Sequence, residues 1–518
     1  MKVAVVQFNP KIGDFASNGE RMRNFVDEAR KAGADLVVFP ELATTGYPPG
    51  DLLDYKHFID GNLRVLEELG RVSQGISIVC GYVERNPEAT GKPYFNSAAV
   101  FQNGKRIANY RKRLLPYYDV FDEERYFEAG NESLTFEVGG KKVALTICED
   151  LWNRPGYVSR PYRENPKIGK VDLILNLSAS PFSLGKPEKR EELFRLVARE
   201  AGACVVVAGQ AGGNDDLLFD GGSLIIDGTG KIIASAPAFE EYLLLDGLAD
   251  VPNSETGWIS AALITGIREY VRKCGARKVC LGLSGGVDSS VVAVLAAKAL
   301  GPKNVKGVAL PTRFNASASL EDAEALAKAL SIEYSVYQID PLFQKASEML
   351  KPRQSLTLEN IQPRLRMVFL MAVANDEDRL LLNTSNKSEI ASGYATLYGD
   401  SAGALAVLGD LTKRQVYGLA KTFPEIPSRV VTRAPSAELK ENQTDQDTLP
   451  PYDALDAWVV EGIEKSGAFP SNHFARLYSR SEYKRHQLPP ALRISYRAFG
   501  RGRRIPIAAS SLVDGPNP

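Results

Sequence analysis

The sequence predicts two α/β domains in succession, a sheet-rich layered domain over residues 1–250 and a doubly wound parallel-sheet, Rossmann-like domain over 257–518. Three observations carry this. The 518 residues exceed what one hydrophobic core usually covers. Short β-type runs recur through the first half with helical stretches between them, whereas in the second half apolar runs alternate with helices one for one. The segment ADVPNSET at 249–256 carries Pro, Asn and Ser between a strand-like run and an amphipathic helix starting near Trp258, and so marks the boundary.

Taken in order, the first-half strands are KVAVVQF, ADLVVFP, SIVCGYV, SAAVFQ, KVALTI, DLILNLS, CVVVAG, SLIID and YLLLDGL. The turn signals NGK at 103–105 and DGTGK at 227–231 predict hairpins, so this sheet system is not purely parallel. Beyond the boundary, VCLGL, VKGVAL, YSVYQI and RLLLN alternate with helical stretches such as VVAVLAAKAL and LEDAEALAKAL, the order of a parallel sheet with crossover helices. A polar stretch at 436–451 interrupts the alternation and is expected to be a loop that ligand orders.

Sixty-three Lys plus Arg balance 63 Asp plus Glu, so no global field draws nucleic acid or anionic membrane, and any polyanion must be held locally. The start MKVAVVQF lacks the regions of a signal peptide, and no run of about 18 apolar residues offers a membrane span. A cytoplasmic location, with neither nucleic acid nor membrane as partner, is the expectation. The five cysteines include no CxxC pair, and the three histidines lie far apart, which disfavours disulfide frameworks, thiolate zinc sites and histidine triads.

Cys148 closes a strand in VALTICEDLW, which delivers a thiol to the carboxyl end of the sheet, where ligands bind. A lone cysteine is more often inert packing. Two further segments change that reading: FPELATTGYPPGDLL places Glu41 after a strand, and NYRKRLLPYYDVFDEERYFEAG places Lys112 between a hairpin strand and an aromatic loop. With NLSASPFSLGK at 176–186, these resemble the glutaminase branch of the nitrilase superfamily, in family order. The resemblance implies a nitrilase-like αββα sandwich, with Cys148 as nucleophile, Glu41 as general base and Lys112 as the cation facing the oxyanion. Amide hydrolysis needs each of these: a thiolate, a proton relay to the leaving amine, and positive charge at the developing oxyanion. Tyr118, Ser180 and Lys186 match positions the family uses to bind glutamine, and either Glu123 or its neighbour Glu124 matches a further acidic residue near the triad.

LGLSGGVDSS at 281–290 follows a strand and opens a helix, so Gly285 and Gly286 let backbone N–H groups approach a pyrophosphate at the positive helix end. The lysine of a Walker A loop is missing, which disfavours phosphate-hydrolysing motors. The SGGxDS pattern resembles the ATP pyrophosphatase family, implying ATP contacts at Ser284, Gly285, Gly286, Val287, Asp288, Ser289 and Ser290, with Asp288 also a magnesium ligand. The blocks ALPTRFNASASLEDAEALAKAL, ENIQPRLR, NTSNKSEIASGYATLYGDSAGALAVLGDLTKRQVY and IPSRVVTRAPSAEL with NQTDQDTLPPYD resemble the NAD synthetase family. That resemblance implies an ATP contact at Thr384, deamido-NAD contacts at Asn360, Glu389 and Lys484, and a magnesium ligand at Glu389; Asp400 and Lys413 lie in the same blocks. Pro363, Met367 and Ser385 depart from the usual residues, and Pro363 either starts its helix or kinks it, which bears on the aim of Asn360 and Arg364.

From Glu482 onward, a tail with Lys484, Arg485, Arg493, Arg497, Arg501, Arg503 and Arg504 by itself looks like a nucleic-acid patch or a solvated surface; by resemblance its charge meets an anionic dinucleotide. Together the two halves imply a ligase that draws ammonia from glutamine and uses ATP and magnesium to amidate deamido-NAD. Ammonia, not ammonium, carries the lone pair that attacks, so the fusion implies a sheltered passage between sites, and the family implies a homo-oligomer. The alternatives are another glutamine-dependent ATP pyrophosphatase and a non-catalytic glutamine or dinucleotide sensor.

Overall fold

The computed structural model describes residues 1–158, 161–441, 443–467, 469 and 472–509. Two compact units divide the chain, Met1–Asn253 and the remainder from Ser254.

The first unit holds β1 (Val3–Gln7), α1 (Phe15–Lys31), β2 (Leu36–Val38), α2 (Lys56–Arg71), β3 (Ser77–Arg85), β4 (Tyr94–Gln102), β5 (Lys105–Arg111), β6 (Leu134–Val138), β7 (Lys141–Ile147) and β8 (Leu173–Ser178). After α3 (Lys186–Ala201) come β9 (Cys204–Gly209), β10 (Ala211–Asn214), β11 (Leu217–Asp220), β12 (Leu224–Ile226), β13 (Ile232–Ser235), β14 (Tyr242–Leu244) and β15 (Gly247–Leu248). One sheet runs β14-β1-β2-β3-β4-β5 and a second β15-β13-β12-β9-β8-β7-β6. The hairpins β4–β5 and β12–β13 turn at the two glycine signals, and both sheets mix parallel and antiparallel pairs.

Strand periodicity explains why the sequence offers unbroken apolar runs. Val5, Leu36, Val38 and Val79 from one sheet meet Leu145, Leu175 and Val206 from the other. The alternating residues Ala4, Val6, Val37 and Ile78 instead pack under Met22 and Val26 of α1 and Val65 and Leu69 of α2. On the second sheet Ile174, Val205 and Val207 pack under Leu193, Phe194 and Val197 of α3. The central strands are thus buried on both faces, and the layers are helix, sheet, sheet, helix.

The second unit contains α4 (Glu255–Lys273), β16 (Lys278–Gly282), α5 (Val287–Leu300), β17 (Val305–Ala309), α6 (Ser317–Leu330), β18 (Glu333–Val336), α7 (Asp340–Leu350), α8 (Ser355–Asp376), β19 (Arg379–Asn383), α9 (Lys387–Ser392), β20 (Leu405–Ala406) and α10 (Lys413–Ala420). Its sheet order is β18-β17-β16-β19-β20 with every pair parallel. Chain direction along the sheet reverses between β16 and β19, the switch point at whose carboxyl end such sheets bind ligands. Leu370, Val373 and Ala374 of α8 pack on Cys280, Val308 and Leu381, while the intervening Val279, Leu281 and Val305 are buried too, so both faces are covered. Pro363 neither starts nor ends α8 but lies inside it. No described helix is long and apolar enough to cross a membrane.

Beneath α3 lies a buried ion pair: Arg190 donates to both oxygens of Asp220, the Nη1–Oδ1 bond measuring 3.1 Å. Both side chains are nearly sealed from water. Breaking such a pair strands a charge, so Asp220→Asn is expected to destabilise the first unit by about 3–5 kcal/mol. Urea unfolding with hydrogen exchange on peptides from α3 checks this; an unchanged midpoint contradicts it.

Candidate active sites

Glu41, Lys112 and Cys148 each follow the end of a strand, β2, β5 and β7. The fold brings them together. Lys112 and Glu41 are each 1 % exposed and Cys148 4 %, so neither the lysine nor the glutamate is the solvated surface residue its type suggests. Lys112 Nζ donates to Glu41 Oε1 at 2.7 Å and to Glu123 Oε1 at 2.8 Å. Glu123, not Glu124, is therefore the additional acid; Glu124 is exposed. Asn96 of β4 donates to both carboxylates, at 2.8 Å to Glu41 and 3.3 Å to Glu123, and the Ala179 N–H donates to Glu41 Oε2 at 2.8 Å. Tyr47 adds a hydroxyl bond to Glu123 at 2.9 Å.

Close approach makes this possible. A side chain at Gly81 of β3 would meet the Pro40 carbonyl oxygen at 2.4 Å and the Glu41 Cα at 2.7 Å. Cys148 sits at φ 41°, a strained value for a residue with a side chain, where the strand breaks into a 3₁₀ turn. Burial pushes the Cys148 thiol up and Glu41 pushes it further, while Lys112 pulls it down. The resting sulfur is thus a thiol that needs a base beside it. Burial opposes the Lys112 ammonium, but Glu123 and Glu41 more than restore it, so it stays charged. Burial and Glu41 push Glu123 up to about 7 against the pull of Lys112.

Around this centre, the Tyr118 hydroxyl donates to Glu149 at 2.9 Å, and the Tyr118 ring packs edge-on to Phe121. Lys186 Nζ lies 5.9 Å from the Phe121 ring centre and 5.8 Å from that of Trp152, and donates to the Pro181 carbonyl. Ser180 is buried in the run leading to α3. Tyr118 and Lys186 thus share one aromatic neighbourhood, with Glu149 as an acid the sequence left without a role.

In the second unit the SGG turn joins β16 to α5 and lines a cavity of about 350 Å³. Gly285 has φ 80°, and a side chain there would meet the Ser319 carbonyl oxygen at 2.0 Å, so α6 packs directly on the turn. The turn ties itself together through serines: Ser289 and Ser290 donate to the Gly286 carbonyl at 3.1 and 2.8 Å, and Ser284 accepts the Gly286 N–H at 3.2 Å. Gly286 is the N-cap of α5, with Val287 and Asp288 in its first turn. Thr384, Ser385, Asp288, Glu389, Asp400 and Lys413 line the same cavity.

Lys413 Nζ sits between Asp288, at 2.6 Å, and Glu389, at 3.2 Å; Asn386 adds a bond to Asp288 at 3.0 Å. Burial pushes Glu389 up to about 7, with Lys413 pulling down and Asp288 and Asp445 pushing up. Asp288 and Glu389, both partly exposed in the cavity wall, offer hard oxygen donors of the kind a divalent cation takes alongside phosphate. Sequence reasoning gave no role to two cavity-lining cations. Arg366 is half-buried, and burial pushes it down to about 10. Arg433 donates to the Gly285 carbonyl at 2.8 Å. Both lay within quoted blocks, where their charge was the signal.

Asn360 and Lys484 are not among the described residues lining that cavity. Asn360 Oδ1 accepts from Thr396 at 2.8 Å, and Arg364 donates to the Leu397 carbonyl at 3.1 Å, so both lean on the 396–397 loop, while Pro363 and Met367 face the cavity. Lys484 donates to the Gly393 and Ala395 carbonyls at 2.8 and 2.7 Å. Much of the basic tail is committed internally: Arg485 and Arg503 both bind Glu482, and Arg485 is buried against the carbonyls of Ile390 and Ala391. Those two guanidiniums are unlike the ligand-facing charge the composition suggested. In the 436–451 stretch, Glu438 accepts from Asn315 and Ser319 at 2.9 and 2.7 Å, which pins it to α6; residue 442 lies outside the described residues.

Comparison with known proteins matches each unit to a family: carbon-nitrogen hydrolase over residues 2–250 and NAD synthase over 259–489. A glutamine-dependent NAD(+) synthetase from Synechocystis sp. is 40% identical over 98% of both chains, and one from Thermotoga maritima 37% identical over 98% of both. The solved structure of a glutamine-dependent NAD+ synthetase from Acinetobacter baumannii, in complex with adenosine diphosphate, superposes with a TM-score of 0.77 at 34% identity, covering 98% of each chain. With likeness at this level spanning both units end to end, the chain belongs to the glutamine-dependent NAD(+) synthetase family.

Proposed function

We propose that this protein makes NAD from deamido-NAD, ATP and glutamine, releasing AMP, pyrophosphate and glutamate, with residues 1–250 as the amidase domain and 257–518 as the ligase domain. The observation that carries this reading is the presence in one chain of a buried Glu41–Lys112 pair beside Cys148 and of a phosphate turn facing Asp288 and Glu389.

In the amidase, Glu41 takes the Cys148 proton, and the sulfur attacks the side-chain amide carbon of glutamine. Lys112, held charged by Glu123, faces the developing oxyanion, and Glu41 returns the proton to the leaving nitrogen as ammonia. Water, deprotonated by Glu41, then opens the thioester to glutamate. Glutamine is held by Tyr118, Ser180 and Lys186, with the Tyr118–Glu149 pair suited to its α-ammonium and Lys186 to its α-carboxylate.

In the ligase, backbone N–H groups of Gly285, Gly286 and Val287 at the start of α5, with Ser284, Ser289 and Ser290, cradle the ATP phosphates, and Thr384 adds a contact. A carboxylate oxygen of deamido-NAD attacks the α-phosphorus, pyrophosphate leaves, and ammonia displaces AMP from the acyl carbon. Asp288 and Glu389 would hold magnesium, which when bound would supply positive charge to the phosphates. Asn360, Glu389 and Lys484 are the proposed deamido-NAD contacts. A cytoplasmic location and a homo-oligomer complete the proposal.

Cys148→Ala is expected to lower glutamine-supported synthesis by at least about 10³-fold while leaving synthesis from ammonium salts intact. Loss of both in a folded protein contradicts separate sites. Asp288→Ala is expected to abolish synthesis from either nitrogen source yet keep glutamine hydrolysis; unchanged ammonium-supported synthesis removes Asp288 from the reaction. Chelation of divalent metal is expected to stop pyrophosphate release and spare glutamine hydrolysis, and equal loss of both activities argues against a metal confined to the ligase.

A further inference from the structure

The turn that carries Cys148 and the loop that carries Lys112 belong to opposite sheets of the sandwich, since β7 is in one and β5 in the other. The two sheets meet through apolar side chains, which resist separation but impose little direction. Asp150 is one of the carboxylates that cross between them, and it bonds the backbone on both sides. Asp150 Oδ1 accepts the N–H groups of Arg113 at 3.1 Å and Leu114 at 3.0 Å, directly after Lys112. Its Oδ2 accepts the Ile147 N–H at 2.9 Å, directly before Cys148, and the Tyr110 hydroxyl at 2.8 Å, two residues before Lys112. Asp150 and Tyr110 are both buried.

Every one of these donors flanks a catalytic position, and hydrogen bonds are directional where hydrophobic contact is not. We propose that Asp150 is a positioning residue that sets the Lys112 ammonium against the Cys148 sulfur, so that nucleophile and oxyanion cation are held as one rigid unit. Asp150 touches no substrate; it acts through the two backbones it binds. Burial disfavours its charge and pushes its pKa up, and the Ile147 and Leu114 N–H groups with the Tyr110 hydroxyl offset only part of that cost. The inference rests on the glutaminase reading of this site.

The test uses the full-length chain with Asp150→Asn, which keeps the volume but turns an amide NH₂ toward donors that need an acceptor. Displacement of a reacting group by an ångström costs up to about 100-fold in rate, so kcat for glutamine hydrolysis is expected to fall about 10- to 100-fold. KM for glutamine should stay within about threefold of the parent, and ammonium-supported synthesis, an internal control on folding, should be unchanged. An unchanged kcat, a rise in KM in place of the fall in kcat, or loss of ammonium-supported synthesis along with it overturns the proposal. If D150N does not accumulate as folded protein, Tyr110→Phe decides, because it keeps the carboxylate and removes one donor. A fall in kcat of about two- to fivefold at constant KM supports the clamp, and an unchanged kcat overturns it. A parent enzyme that does not hydrolyse glutamine refutes the glutaminase reading instead.

Discussion

A lysine ammonium sealed from water between two carboxylates is the constraint on which the first unit is organised. Lys112 with Glu41 and Glu123 places charge in a medium that penalises it, so the cluster depends on the hydrogen-bond partners around it. Asn96, Tyr47 and the Ala179 N–H supply those partners from β4, from the turn after β2 and from the segment after β8. The demand on the fold is severe. It requires glycine at 81, a strained backbone at Cys148 and a carboxylate reaching across the sandwich from Asp150. The same low dielectric that makes the cluster costly makes its charge effective, since an ammonium facing an oxyanion is worth far more there than in water.

The second unit repeats the device. Lys413 is held between Asp288 and Glu389, and burial that opposes its charge is outweighed by those two neighbours. The functional consequence differs. In the proposed amidase the lysine faces the oxyanion, whereas Lys413 binds two carboxylates in the wall of a cavity that also presents Arg366 and Arg433. Polyanion binding is therefore local, as an overall balance of 63 cationic and 63 anionic residues requires.

Strand-type runs and the candidate site residues were legible in the sequence because each is a local feature: an apolar run of the right length, a thiol at a strand end, a glycine pair opening a helix. The parallel character of the second sheet followed from the alternation of runs and helices. What was not legible is the set of partners. Asn96 lies 55 residues from Glu41 and Asp150 lies 36 from Leu114, and no periodicity links such positions. The choice between Glu123 and Glu124 needed the 3₁₀ turn that buries one and exposes the other. Strand β10, AGGN, went unseen because glycine carries no side-chain pattern. In the basic tail, composition misled: Arg485 and Arg503 satisfy Glu482 and backbone carbonyls inside the fold, and charge counts cannot tell a buried guanidinium from one that awaits a ligand.

The central claim is that nitrogen freed by the Cys148 site is captured by a carboxyl group activated at the SGG turn. Mass spectrometry of the dinucleotide formed from deamido-NAD, ATP, magnesium and amide-¹⁵N glutamine tests it most directly. The account predicts NAD heavier by one ¹⁵N, with one AMP and one pyrophosphate per turnover. No NAD, or NAD without the label, contradicts it.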